Sequence, residues 1–398
     1  MNLYAHLTQR PRGLLWISAL AVAVVLIGGG GYWWRIARIH SAATACQTAM
    51  NERRWEDARM WAEVWTQRQP SDTAAWLARA EAARQLQDWK TTEDSLARIP
   101  RTDRRYLRAQ ALRGDLALEA LRDPSLAMTV WQELLHVAPA SNLAHQRLIY
   151  LYAMTLQRGK MIEQIRTAIR LRCEPPEAYG YLLAANSLLF SDGYPRVSQW
   201  QRQHPEDETL RVAQAVFAAR TNPSKGQRMF GVADGLLANR GLIESCRHDY
   251  PRNLEVLAFF IETAIAEGNF AELGELLAEL PSTADQDSRF WRYRGTWLDS
   301  ERRPAEAAEA FQKALSLHPL DWRSHHELGT IARILQQTEL AARHADLGQR
   351  GKQLERRILE LPNAAQADET LMRGVWQYAK DCNDQDAVAG LSFRLQLN

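Results

Sequence analysis

Trp55 and Trp89 lie 34 residues apart in related settings, Arg54-Trp55-Glu56-Asp57 and Asp88-Trp89-Lys90-Thr91, and Pro70 and Pro139 are separated by 69, about twice that period. This recurrence constrains the fold more than any other feature. Pro70, Pro139, Pro205, Pro251, Pro281 and Pro319 each close a stretch of helical apolar spacing just before another begins. Proline suits that position because it has no N–H to continue a helix. Past residue 39 there is no alternating pattern of the kind a strand would need. A period of this length marks units that bury their apolar faces on their neighbours, so 398 residues need not divide into separate globules.

Composition agrees with an ordered, helical chain: 46% of residues are hydrophobic and 24% charged, with 14 Trp available for packing. The formal net charge of +2 calls for no polyanionic partner, and no nucleic acid is expected. Only six of the 49 basic residues are Lys, a bias that puts Arg on every face. Cys46, Cys173, Cys246 and Cys382 stand at least 70 residues apart with no CxxC pair. They read as separate, small apolar side chains, with a disulfide between distant repeats left open if the domain is exported.

Residues Gly13 to Trp34 carry no charged side chain, and as a helix they would reach about 33 Å, enough for a hydrocarbon core of about 30 Å. Trp16 near one end and Tyr32, Trp33 and Trp34 near the other suit the two membrane interfaces. An uncleaved transmembrane helix over 13–34, after a tail at 1–12, is the expectation. A cleaved signal peptide is the alternative: Leu14 to Ile27 has the length of its apolar core, and Gly28 to Gly31 offer small residues. Arg10 and Arg12 balance Arg35 and Arg38, so the N-terminal amine tips the N-terminus towards the cytoplasm. The body would then lie outside the cytoplasm, giving a single-pass protein, of a bacterial inner membrane in this reading.

The clearest unit runs from Ser288 to about Asp321. Trp291 is followed three residues later by Arg294-Gly295, Leu298 takes an apolar place, Ala307, Phe311 and Ala314 fall at the spacing of a second helix, and Pro319 ends it. Gly295 and Ala307 are small where two helices must approach; Trp291, Leu298 and Phe311 fill the space around them. This stretch resembles the tetratricopeptide repeat almost position by position. The next unit, Trp322 to about Glu355, keeps Leu328-Gly329, Ala332 and Ala341. Earlier ones keep Trp55, Ala58, Trp65 and Pro70; Ala127, Trp131, Leu134 and Pro139; and Ala264, Gly268-Asn269-Phe270, Leu273, Leu277 and Pro281. The segments 177–205 and 207–251 are recognisable mainly by phase, and Leu371, Gly374, Tyr378 and Ala387 suggest a divergent last unit, a C-terminal cap after 362. The resemblance implies an all-α, right-handed α-solenoid of about ten antiparallel hairpins over 39–392, most regular at 288–355. A generic antiparallel helical bundle is the competing architecture.

The sequence carries no recognisable catalytic motif. Gly351-Lys352 lacks the earlier glycine and following Ser or Thr of a phosphate loop, and there is neither GxSxG nor HExxH. His325-His326-Glu327 lacks the i, i+4 spacing of a metal pair, although His344 could approach from the second helix. The expectation is therefore no enzyme, no cofactor and no metal. The resemblance instead implies binding on a concave surface lined by the first helix of each hairpin. Its phase puts Arg289, Arg292, Thr296 and Asp299 of one unit there, with Arg323, His326, Thr330 and Arg333 of the next. The candidate partner site is thus Arg289, Arg292, Thr296, Arg323, His326 and Arg333, a basic patch for an acidic protein or peptide. Thr296 and Thr330 replace the amide of the family's carboxylate clamp, which counts against a terminal-carboxylate receptor. The function expected is a membrane-tethered scaffold in envelope assembly, secretion or quality control, with self-association open; a soluble exported binding protein and an enzyme with a cryptic site are the alternatives.

Overall fold

The structure, a computed structural model, describes residues 41–188, 190–220, 232–361 and 364–397. The expected anchor lies outside these residues, and among those described no helix is long and apolar enough to cross a membrane. Twenty α-helices account for most of the described chain, with no strand among the described residues. They follow one another as antiparallel pairs. α1 (residues 41–51) pairs with α2 (Trp55–Arg68), α3 (Thr73–Gln85) with α4 (Trp89–Ala97), and α5 (Tyr106–Glu119) precedes α6 (Pro124–Val137). α7 (Asn142–Met154) pairs with α8 (Arg158–Arg170), and α9 (Ala178–Leu183) and α10 (Gly193–Gln203) flank a short 3-10 turn at Ala185–Ser187. Then come α11 (Glu208–Arg220) with α12 (Val232–Asp249), and α13 (Leu254–Glu267) with α14 (Phe270–Ala278). The last pairs are α15 (Ser288–Ser300) with α16 (Pro304–Leu317), α17 (Trp322–Ile334) with α18 (Thr338–Leu359), and α19 (Glu369–Asp381) with α20 (Gln385–Arg394).

The turns themselves carry the repeat. Arg53, Gln87, Arg122, Leu156, Gly268, Arg302, Gln336 and Asn383 all have left-handed φ values, between 55° and 70°, and each sits between the two helices of a pair. Their spacing is 34 from Arg53 to Gln87, 34 from Arg122 to Leu156, and 34 again from Gly268 to Arg302 and from Arg302 to Gln336. The residue after each donates its N–H back to the first helix, as Asn269 does to the Ala264 carbonyl and Arg303 to Leu298, both at 2.9 Å. One left-handed residue thus satisfies an orphan carbonyl and reverses the chain. The second helices then start on side-chain caps: Asp88, Asp123, Asn269 and Asp384 each accept a backbone N–H.

A second device recurs at the start of the first helices. Trp76 and Trp291 donate ring N–H groups to the carbonyls of Pro70 and Asp285, six residues back, and His145 and His325 contact those of Pro139 and Pro319 at the same offset. Helix is thereby tied to the preceding turn. These features make the chain an α-solenoid of helix–turn–helix repeats. Between helices the space is filled by small residues against rings: a Cβ on Gly295 would lie 2.6 Å from Phe311, which is fully buried beside Ala307 and Leu328.

Contacts divide the chain into two compact units, the boundary falling inside α5 after Leu116. The first unit packs Ala42, Cys46, Ala62, Trp65 and Ala75 in one cluster, and Ala80, Leu96, Ile99, Tyr106 and Ala109 in another. The second unit does more than stack neighbours, because its last helix returns to α8. Arg166 of α8 pairs with buried Asp384, Arg170 lies 3.3 Å from Asp386, and Arg394 donates to the Glu174 carbonyl at 2.7 Å. Gly390 makes the approach feasible; a Cβ there would lie 2.8 Å from Ile169 and collide with the Tyr179 hydroxyl. Cys46, Cys173, Cys246 and Cys382 are free thiols.

Candidate functional site

Within the second unit the first helices of successive pairs converge on a cavity of about 710 Å³. α11 contributes Arg220, α13 Glu262 and Ile265, α15 Arg292, Tyr293 and Thr296, and α17 Trp322, Arg323, His326 and Glu327. Asn186 and Ser187 of the 3-10 turn and Lys352 of α18 complete the wall. Arg292, Thr296, Arg323 and His326, all drawn from the expected partner site, are therefore brought to one surface. Arg289 and Arg333 do not line it.

The arginines divide sharply by environment. The Arg289 side chain is 1% exposed, held by Glu255 at 2.6 Å and Asp287 at 2.7 Å. Glu255 also receives Arg158 Nε at 3.1 Å, so a carboxylate on α13 joins cations on α8 and α15. Burial alone would push the Glu255 carboxyl up, but Arg158 and Arg289 outweigh it and hold it below the usual range. Arg292 is buried too, 2.9 Å from Asp321, which also accepts from the Ser324 hydroxyl at 2.6 Å. Burial raises Asp321 and the Arg292 charge more than reverses it, keeping the carboxylate ionised well below its ordinary range. These two arginines are bound into the scaffold, whereas an acidic partner needs cations with capacity to spare. Arg333 is exposed on the last turn of α17 and donates to the Thr330 hydroxyl at 3.1 Å.

That capacity lies around Trp322. The Arg323 guanidinium sits 4.3 Å from the Trp322 ring centroid, and Lys352 Nζ sits 5.6 Å from it. Arg323 has only one long carboxylate contact, 3.3 Å to Glu355, and Lys352 has no carboxylate partner among the described residues. Glu355 is occupied as well by Trp322 Nε1 at 2.8 Å and by the Ser187 hydroxyl. His326 is exposed beside them. On the opposite wall Tyr293 donates to Glu262 at 2.5 Å, and Arg220 pairs with the same carboxylate at 2.7 Å. Glu327 faces the cavity half-buried, and burial pushes its carboxyl up. The wall thus has one cationic edge on an indole and one neutralised edge.

Trp322 and Lys352 were not among the residues assigned to the partner site from sequence, Lys352 being weighed only with Gly351 against a phosphate loop. The signal for Lys352 was an interruption of period: the left-handed turns at Gln336 and Asn383 are 47 apart, and the extra length extends α18 to 22 residues. That extension carries Gly348, Gly351, Lys352 and Glu355. Gly348 lets it pass His326, since a Cβ would lie 3.0 Å from that backbone. The tempting histidine pair is structural. His325 Nε2 meets the Pro319 carbonyl at 3.0 Å and must donate, so its Nδ1 accepts from His344 Nδ1 at 2.8 Å. Among the described residues no three His, Cys, Asp or Glu groups gather as a metal site.

No known protein family's sequence profile matches the chain, and no curated protein does. Solved structures similar to it include the APC/C hetero-tetramer Cut9–Hcn1, at 14% identity over 94% of this chain and 82% of that one, with a TM-score of 0.33. A tetratricopeptide repeat protein from Parabacteroides merdae matches 74% of this chain and 98% of its own at 12% identity and a TM-score of 0.31. PilW, a type IV pilus biogenesis factor, matches 55% and 96% at 14% identity and a TM-score of 0.26. At such scores the superpositions add no argument to the repeat geometry of the turns.

Proposed function

We propose that the chain is a membrane-tethered scaffold that holds an acidic segment of a protein partner in the cavity of its second unit. The observation that carries this reading is the cationic edge, where Arg323 and Lys352 both lie against Trp322 with little or no carboxylate pairing. Charges already bound into the scaffold hold their positions without competing for a ligand, and the two cations at the indole remain for one. His326 and Thr296 add hydrogen-bonding groups on the same wall. Gly13 to Trp34 supplies the tether in this reading, with the repeats outside the cytoplasm and a role in envelope assembly, secretion or quality control.

The test is affinity purification of the detergent-solubilised chain with mass spectrometry, comparing wild type with Arg323→Glu/Lys352→Glu. Both positions are partly or fully solvent-facing, so far-UV circular dichroism should be unchanged. Partners recovered with wild type and lost with the variant support the reading; an unchanged set removes it. Protease accessibility on intact cells tests the sidedness separately.

A further inference from the structure

A segment of the chain itself already occupies part of the site. α18 runs about two turns past the length of α16, and those turns, from Lys352 to Leu359, pack against α9. One stripe of them faces inward: Leu354, Glu355 and Ile358 are buried, while Gln353, Arg356, Arg357 and Glu360 are exposed. Glu355 meets the cationic edge, accepting from Trp322 Nε1 at 2.8 Å, from the Arg323 guanidinium at 3.3 Å and from the Ser187 hydroxyl. One turn further on, Ile358 and Leu359 line a second, mostly apolar cavity of about 410 Å³ with Tyr150 of α7 and Tyr181 of α9. Arg147 and Glu177, one charge of each sign, also line it.

This second cavity lies on an inner face of the repeats. His145 and Trp291 each meet the carbonyl six residues back; Gln146 and Tyr150 follow the first by one and five residues, as Arg292 and Thr296 follow the second. The extra turns of α18 thus lie over positions that, on α15, line the open cleft. They fit there loosely. Leu359 is 56% exposed, and the Tyr150 and Tyr181 hydroxyls on the cavity wall have no hydrogen-bond partner among the described residues.

We infer that residues 355–361 are a resident stand-in for the partner, and that the segment captured from the partner carries the same chemistry: a carboxylate and, one helical turn along, a pair of aliphatic side chains. This rests on the reading above and sharpens it. The carboxylate enters at Trp322, Arg323 and Ser187, and the aliphatic pair enters beside Tyr150 and Tyr181. Capture is an exchange, in which the incoming turn lifts Glu355 and Ile358 off the inner face. Lys352 takes no part in holding α18 down and is left for the incoming acid. A helical peptide is favoured over a free small molecule because the two subsites are engaged from one helix face about 5 Å apart, the spacing of successive turns.

The test supplies the segment in trans. The probe is a fluorescein-labelled synthetic peptide of residues 350–361, read by fluorescence anisotropy on the detergent-solubilised full chain with empty micelles subtracted. In Glu355→Ala/Ile358→Ala the inner face is vacated, and the peptide should bind at least about tenfold tighter than to wild type, where the tethered turn competes at high effective concentration. Glu355→Gln alone should bind it at least about threefold tighter, and it decides the matter if circular dichroism shows the double variant unfolded. Within the peptide, Glu355→Gln or Ile358→Ser should each weaken binding at least about tenfold. Excess peptide over wild type should speed amide exchange in residues 352–361 and not in 338–347. Equal affinities for wild type and the variants, or a peptide indifferent to its own substitutions, overturns the inference. The two readings fail apart. Peptide binding that Arg323→Glu/Lys352→Glu leaves unchanged sinks the cationic edge; partners lost with that pair of changes, in a chain whose variants no peptide enters, leave the edge standing and sink the resident stand-in.

Discussion

Replacing Glu255 by Gln should destabilise the second unit by about 3 kcal/mol, the low end of the range for breaking a buried ion pair. The network fixes that size. Glu255 is shared by Arg158, at 3.1 Å from both its oxygens, and Arg289, at 2.6 Å. Arg289 keeps Asp287 at 2.7 Å after the change, so it stays compensated. Arg158 keeps only the Ala185 carbonyl, its Nη2 meets no protein acceptor, and its side chain is 4% exposed. One buried cation is orphaned, not two. Removing that cation as well should recover most of the loss, so Arg158→Met/Glu255→Gln should be more stable than Glu255→Gln alone, with a coupling of at least about 1.5 kcal/mol in the cycle. Urea unfolding followed by far-UV circular dichroism gives the four free energies. Amide exchange should show the loss first in α8 and α13, the helices the pair joins. A cost under about 1 kcal/mol for Glu255→Gln, or strict additivity in the cycle, would refute the orphaned-charge argument.

Three further outcomes follow from particular contacts. Gly268→Ala should cost about 1 kcal/mol and Gln336→Gly should gain a similar amount, since both sit at the same left-handed turn and only glycine adopts it without a Cβ penalty; thermal melts of the two should shift in opposite directions. Gly295→Ala should cost about 1–3 kcal/mol because its Cβ would press on the buried Phe311 ring, and Phe311→Leu in the same chain should return part of that loss in urea melts. His325, pushed down to about 4 by burial first and by His344 second, is neutral in the fold. Its contribution is therefore present above an unfolded value of about 6.5 and is lost as pH falls towards 4, by up to about 3 kcal/mol; His325→Phe should flatten the slope of urea stability against pH in that window.

What sequence could show of this molecule follows from which forces leave a local trace. The hairpin leaves one, because a turn six residues from a packing ring and a small residue opposite it must recur wherever the unit does. Trp291, Gly295, Ala307, Phe311 and Pro319 sit in these roles. Phase likewise put Arg292, Thr296, Arg323 and His326 on one inner surface, but it could not tell a cation with a carboxylate behind it from one without. Arg289 meets Glu255, 34 residues earlier, and Arg292 meets Asp321, 29 later at the start of α17; both partners are far along the chain, and nothing local marks them. Lys352 was missed for a related reason. It lies on the extra turns of α18, where the period that made the rest legible is broken.

That broken period also adds to the wall of the open cleft in the second unit. Here α18 continues past α17 until Glu355 reaches Trp322, Arg323 and Ser187, while Gly351 lies so close that a Cβ would stand 2.5 Å from that of Trp322. The 3-10 turn at Ala185–Ser187 joins the same edge through the Ser187 hydroxyl on Glu355, and α8, on which α20 closes, packs against that turn. The charged edge at Trp322 is therefore framed by elements from opposite ends of the second unit. A segment captured there would be recognised by a few side chains at one place, as the pairing of Arg323 and Lys352 on a single indole requires, and not by many weak contacts spread along a superhelix.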